Sequence, residues 1–148
     1  SLYTYWKRQS PPPGLMAFDA PTRETCTVSR PRTNTPLQAL VLMNDPTYVE
    51  AARVLATQTL KKQATAAERI DFLFRAATSR LPAKSEQQIL SRILQQQTDI
   101  YQQDPEAAAK LINVGAAPVD KTMEPTELAA WTMLASMIFN MDETLTKQ

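Results

Sequence analysis

The chain has 148 residues, of which 43% are hydrophobic and 21% are charged, and its formal net charge is +1. These values are typical of one soluble globular domain with a sizeable core. The nearly neutral charge predicts neither nucleic-acid binding nor insertion into a membrane. The absence of histidine excludes the catalytic and metal-binding arrangements that need an imidazole.

The numbers of cysteine and glycine residues exclude further kinds of site and fold. The single cysteine, Cys26, excludes an internal disulfide and a cysteine-built zinc site. Without a histidine partner, we expect it to be a small, half-buried residue rather than a reactive thiol. Two glycines are too few for a β-sandwich or a dinucleotide-binding unit. We expect no cofactor and no metal.

Residues 1–35 are predicted to form an irregular arm that is basic and aromatic. They hold five basic and two acidic residues, a local charge of +3, whereas the rest of the chain carries −2. Prolines at 11–13 form a stiff spacer, and Pro21 and Pro31 make long elements unfavourable. Four of the ten aromatic residues fall within the first eighteen positions.

Residues 36–148 are predicted to form a helical domain, because apolar residues recur there at helical spacing between proline-marked starts. The final helix is apolar nearly all round, so we expect it to be central. The sequence predicts one all-α domain, bundle-like or orthogonal, with about six helices. These begin near 36, 46, 66, 85, 105 and 125, and the first and last end near 43 and 139.

Polar residues mark the joint between the arm and the first two helices. Thr35 followed by Gln38 predicts a capping box, and Asp45 is expected to cap the second helix. Asn44 is expected to end the first helix in a left-handed conformation. Asn34 precedes the cap, so it either joins the arm to the first helix or faces a ligand.

The start of the arm is a candidate binding site. Tyr5 and Trp6 lie beside Lys7 and Arg8. Aromatic faces next to cations suit stacking on sugar rings and contact with anionic polymers. The alternative is that Trp6 and Phe18 pack under the proline segment or against a missing neighbour, while the cationic head groups of lysine and arginine reach water.

A second group of charges in the arm has two interpretations. Asp19, Arg23, Glu24, Arg30 and Arg32 are able to form salt bridges that hold an irregular segment together. As an enzyme site, Asp19 and Glu24 would be a carboxylate pair for acid–base work. Nothing in the sequence locates a substrate or a nucleophile between them, so the structural interpretation is favoured.

Several motifs carry a resemblance to a known family. The segments YWKR, PPP, FDAP, TNTPLQAL and ND, with the closing LAAWT and DET, resemble the planctomycete PSD family, domain of unknown function 1553. The resemblance extends over essentially the whole chain. It implies the C-terminal part of a large exported, cell-envelope protein with a cytochrome-c-like domain upstream, where any haem would lie.

Three functions remain open at this point. We expect a non-enzymatic structural or interaction module whose arm docks against upstream domains of the same polypeptide. One alternative is a module that binds polysaccharide or another anionic polymer. Another is part of a composite enzyme site shared with those domains, in which Asp19, Arg23 and Arg32 would face a cleft whose other wall is upstream. The candidate binding residues are Tyr5, Trp6, Lys7, Arg8, Asp19, Arg23, Arg30, Arg32 and Asn34.

Overall fold

The computed structural model describes residues 5, 7, 10–21, 24–29, 33–62 and 65–146, and these form eight helices and no strand. The prediction of an all-α fold is confirmed, but the expected number of about six helices is wrong. The helices are α1 (Pro13–Ala17), α2 (Pro36–Asn44), α3 (Pro46–Lys62), α4 (Ala66–Thr78), α5 (Lys84–Gln103), α6 (Pro105–Ile112), α7 (Pro125–Phe139) and α8 (Asp142–Leu145).

The two additional helices are α1 and α8, which have five and four residues. Neither completes two turns, so neither contains enough positions to show a helical period in the sequence. The helix α1 begins at Pro13, whose fixed φ suits a first helical position. The helix α1 packs against α2, and α8 packs against α4 and α7.

Side-chain caps mark the starts of several of the longer helices, although Ala83, the N-cap residue of α5, provides none. Thr35 and Thr65 each accept a hydrogen bond from a backbone N–H three residues later, and both form complete capping boxes. Asp104 accepts from the N–H of Ala107 at the start of α6. Each such cap stabilises a helix by roughly 1 kcal/mol, because it satisfies an N–H group that has no partner within the helix.

The helix α7 lies at the centre of the domain, as its apolar sequence predicts. Nine of its fifteen residues are buried. It packs most extensively against α3, α5 and α6, and also contacts α2, α4 and α8. Ala129, Ala130 and Ala135 are fully buried, and their small side chains allow neighbouring helices to approach closely.

The linker between α6 and α7 lies against one face of α3. The buried guanidinium of Arg53 donates to the carbonyl oxygens of Ala117 at 2.8 Å and Pro118 at 3.3 Å. The Glu50 carboxylate accepts from the N–H of Ala116. Lys61 forms an ion pair with Asp120 about two turns beyond Arg53 along the helix. Polar contacts from one helix therefore hold a segment that has no regular backbone pairing.

Candidate functional site

The second part of the arm folds back on itself after α1. The N–H of Ala20 donates to the carbonyl of Leu15, and that of Asp19 to the carbonyl of Met16. Asp19 itself has a φ of 55°. This is the hydrogen-bond pattern of a Schellman motif, in which the residue that ends the helix takes a left-handed conformation. The Asp19 backbone therefore terminates α1.

The Asp19 side chain joins the arm to the start of α2. Its carboxylate accepts a hydrogen bond from the Thr33 hydroxyl. That hydroxyl also accepts from the side-chain amide of Gln38 at 3.0 Å. The Gln38 carbonyl oxygen in turn accepts from the N–H of Thr35 at 3.1 Å. Because Gln38 is only 2% exposed, its amide depends on these partners rather than on water.

Two further contacts attach the arm to distant elements. The Asn34 side-chain amide donates to the carboxylate of Asp142, at the start of α8, at 3.0 Å. The rings of Phe18 and Tyr48 pack at a tilt, with their centroids 5.9 Å apart. Burial, with a smaller contribution from the charge of Asp45, raises the pKa of Tyr48 above its usual value. Phe18, Asp19 and Asn34 therefore attach this part of the arm to α3, α2 and α8, respectively.

The outer face of α2 is apolar and exposed. Leu37 and Leu40 are each 58% exposed, and Met43 is 54% exposed. Their spacing of three residues places them on one side of the helix. Met16 of α1, a helix that packs against α2, is also exposed. We call Leu37, Leu40 and Met43 the α2 stripe.

Comparison with known families gives a match over residues 1–94, to the family model PSD1, described as protein of unknown function (DUF1553). The matched residues are more than half of the chain and include the arm and α1 to α4. The chain belongs to the PSD1 family. No curated protein and no solved structure matches it. The family resemblance noted in the sequence is thereby confirmed, although the match says nothing of organism or of neighbouring domains.

In this PSD1 chain the polar joint before α2 is largely structural. The capping box of Thr35 and Gln38 is confirmed, and Asp45 caps the next helix by accepting from the N–H of Thr47 at 2.8 Å. The predicted left-handed Asn44 is wrong. It is the last residue of α2, and its side chain donates to the carbonyl of Leu40. Asp45 is extended, as expected before a proline, and ends the helix instead.

Only two of the candidate residues at the start of the arm, Tyr5 and Lys7, lie among the described residues. Tyr5 is 83% exposed, and Lys7 is exposed and forms an isolated antiparallel bridge with Ser10. The five other candidate residues lie outside the described residues, so the structure does not test the predicted clusters of aromatic and charged side chains. These five are Trp6, Arg8, Arg23, Arg30 and Arg32.

Cys26 differs from the prediction. It is exposed rather than half-buried, and so are all the described residues of 24–29. Val28 in the same segment is 100% exposed. This segment therefore does not bury Cys26 against the described part of the chain.

Other kinds of site have no support within the described ranges. No group of three acidic or cysteine side chains comes together there as a metal ion would require. None of the helices described has both the length and the apolar character to cross a bilayer. Sequence reasoning missed the α2 stripe, although the lack of any charged residue in PLQALVLMN is a signal for it.

Proposed function

We propose that this PSD1 domain is a non-enzymatic structural and interaction module of a larger polypeptide. The α2 stripe carries the proposal. Large apolar side chains that are more than half exposed on an uncharged helix favour contact with another protein surface. Covering each of them would contribute roughly 1 kcal/mol, since only part of each side chain is still exposed.

The proposed occupant of the stripe is a domain that precedes this one in the same polypeptide. The family resemblance implies such domains, one of them cytochrome-c-like, in exported planctomycete proteins of the cell envelope. The arm supports this choice because Asp19 and Phe18 hold it against α2 and α3. The stripe and the exposed arm residues would then form one docking surface.

Methionine footprinting provides a direct test with an internal control. Met43 and Met16 lie on the proposed surface, whereas Met137 is 39% exposed and lines a groove on the side of α7 that faces α5, beside Ile89. We expect hydroxyl-radical oxidation of Met43 and Met16 to fall severalfold in a polypeptide that includes the preceding domains. Oxidation of Met137 should not change. Equal oxidation of all three in both polypeptides would refute the proposal.

A matched pair of variants tests the energetic contribution of the stripe. Leu40 and Leu81 are equally exposed, at 58%, but Leu81 lies in the turn between α4 and α5. Leu40→Gln should restore the oxidation of Met43 in the longer polypeptide, because it weakens docking. Leu81→Gln should leave the protection intact. Equal effects of the two variants would show that the stripe has no special role.

The second candidate function is binding of polysaccharide or another anionic polymer by the start of the arm. The observation that favours it is the exposed Tyr5 ring close in sequence to the exposed Lys7. Tyr5→Ala and Trp6→Ala should then weaken polymer binding, measured by affinity electrophoresis, while Leu40→Gln has no effect.

The composite enzyme site stays a prediction, because its Arg23 and Arg32 lie outside the described residues.

A further inference from the structure

A cleft of about 500 Å³ opens on the surface between the first turn of α4, the second half of α5 and the first turns of α7. This volume falls within the range of pockets that hold small molecules. The cleft is remote in sequence from the arm and contains no residue of the α2 stripe. Its polar lining comes from one face of α5, from the start of α7 and from Arg69 of α4.

One wall of the cleft is polar and uncharged. Ser91, Gln95, Thr98 and Gln102 follow one another at intervals of four, three and four residues, so they form one stripe along α5. Gln95 donates one amide hydrogen to Asp99 at 2.9 Å. An amide has two hydrogens and a carbonyl oxygen, so each glutamine retains capacity to donate and accept.

The opposite wall presents carboxylates at the start of α7. Glu124 accepts hydrogen bonds from the Thr126 hydroxyl and from the N–H of Glu127. These hydrogen bonds, that of Thr126 foremost, lower the pKa of Glu124, so it is ionised at neutral pH. Glu127 forms an ion pair with Arg69 at 3.0 Å. These contacts hold the two carboxylates in place, so the wall presents hydrogen-bond acceptors at fixed positions.

The floor of the cleft is apolar. Ile70 and Trp131 line it and are only 1% and 3% exposed, and the half-buried Leu94 lies beside them. The guanidinium of Arg69 is 6.0 Å from the centroid of the Trp131 ring. The guanidinium of Arg69 therefore lies over the tryptophan ring.

The charge and polarity of the lining select a class of ligand. Two carboxylates against one guanidinium disfavour anions such as nucleotides and acidic sugars. The polar stripe disfavours a purely apolar ligand, because its amides would lose water without gaining partners. A neutral sugar ring has an apolar C–H face and hydroxyl groups around its edge, and hydroxyls both donate and accept. We propose that this cleft binds a neutral saccharide. The proposal goes beyond the interaction function and is independent of it.

The test is NMR titration of the ¹⁵N-labelled chain with the β-linked tetrasaccharides of glucose and of N-acetylglucosamine. Trigalacturonate serves as the anionic comparison. We expect saturable shifts in the amides of residues 91–102 and 124–131 with at least one neutral probe. Shifts confined to the arm, stronger binding of trigalacturonate, or no shifts with millimolar neutral probes would overturn the proposal.

A pair of double variants assigns the shifts to the cleft. Gln95→Ala with Gln102→Ala removes two amides from the polar stripe. Gln96→Ala with Gln103→Ala removes two amides that are also exposed, lie one position further along α5 and are outside the cleft lining. Losing two hydrogen bonds should weaken neutral-saccharide binding roughly tenfold, and the control pair should leave it unchanged. Equal weakening in both pairs would refute the assignment.

Discussion

Arg80 and Glu143 form a two-point ion pair that joins the turn after α4 to the C-terminal helix α8. The Nε and Nη2 atoms of Arg80 each donate to a different Glu143 oxygen at 2.9 Å. The same guanidinium donates to both oxygens of Glu86 on α5, at 2.8 and 2.7 Å, and lies 4.8 Å from the centroid of the Phe74 ring. One side chain thus connects α4, α5 and α8.

Replacing Arg80 with lysine should loosen α8 while leaving the domain folded. Lysine keeps the charge but lacks the planar fork that reaches two carboxylates at once. The helix α8 has no buried residue, so it depends on such contacts. We expect amide exchange at residues 143–146 to accelerate severalfold, with only a small fall in Tm because the ion pairs are partly exposed. Arg92→Lys, on the exposed side of α5, is the control and should change neither quantity.

The ion pair also predicts a dependence of stability on acid pH. Hydrogen bonds from Arg80 and the N–H of Ala83 lower the pKa of Glu86 to about 2 from an unfolded value of 4.5. A depressed pKa stabilises the fold above pH 4.5, and that contribution disappears as the pH falls from 4.5 toward 2. Glu86→Gln should therefore show a shallower fall of Tm over this interval. The exposed Glu106→Gln should keep the wild-type slope, and an identical slope in both variants would contradict the assignment.

Replacing each of the two glycines with alanine should affect the free energy of unfolding differently. Gly115 has a φ of 99°, and a Cβ atom there would lie 2.7 Å from the Cβ atom of Glu50. Gly115→Ala should lower the free energy of unfolding by roughly 1–3 kcal/mol, because it combines backbone strain with a clash that displaces the linker from α3. Gly14 lies in α1, and a Cβ there meets nothing within 4 Å. Gly14→Ala should be neutral or slightly stabilising in urea denaturation. A reversed order would show that the Glu50 contact is unimportant.

Loss of the Gln38 side chain should release the arm. Gln38→Ala removes the acceptor for the Thr35 N–H and the donor to Thr33 in a buried position, at a cost of about 2 kcal/mol in unfolding free energy. Amide exchange at residues 15–20 should accelerate in parallel. The control is Gln88→Ala on the exposed face of α5, expected to change stability by less than about 0.5 kcal/mol. Similar results for both variants would mean that the network does not hold the arm.

Much of the fold could be predicted because its signals are local. A proline, a cap residue and the spacing of apolar side chains act within three or four residues, the range of a helical turn. Thr35 with Gln38 and Thr65 with Glu68 therefore formed the capping boxes that their spacing predicts. The nearly all-apolar sequence of α7 predicted its central position, since such a helix is stable only when surrounded.

The candidate site was less predictable because its contacts cross long stretches of sequence. Asn34 and Asp142 are 108 residues apart, and only the packing of α8 beside the arm brings them together. The same packing determines which apolar residues are covered. Leu42 is buried whereas Leu40, two positions earlier on the same uncharged helix, is exposed.

By itself, the sequence determined the all-α class, the positions of the six longer helices, the capping boxes of α2 and α4, and the central place of α7. Each of these depends on hydrogen bonds and side-chain spacing within a few residues. Only the tertiary structure decided that Asp19 and Gln38 hold the arm, that the α2 stripe is exposed, and that α4, α5 and α7 enclose a polar cleft. These features depend on how whole helices pack, and no local pattern encodes that arrangement.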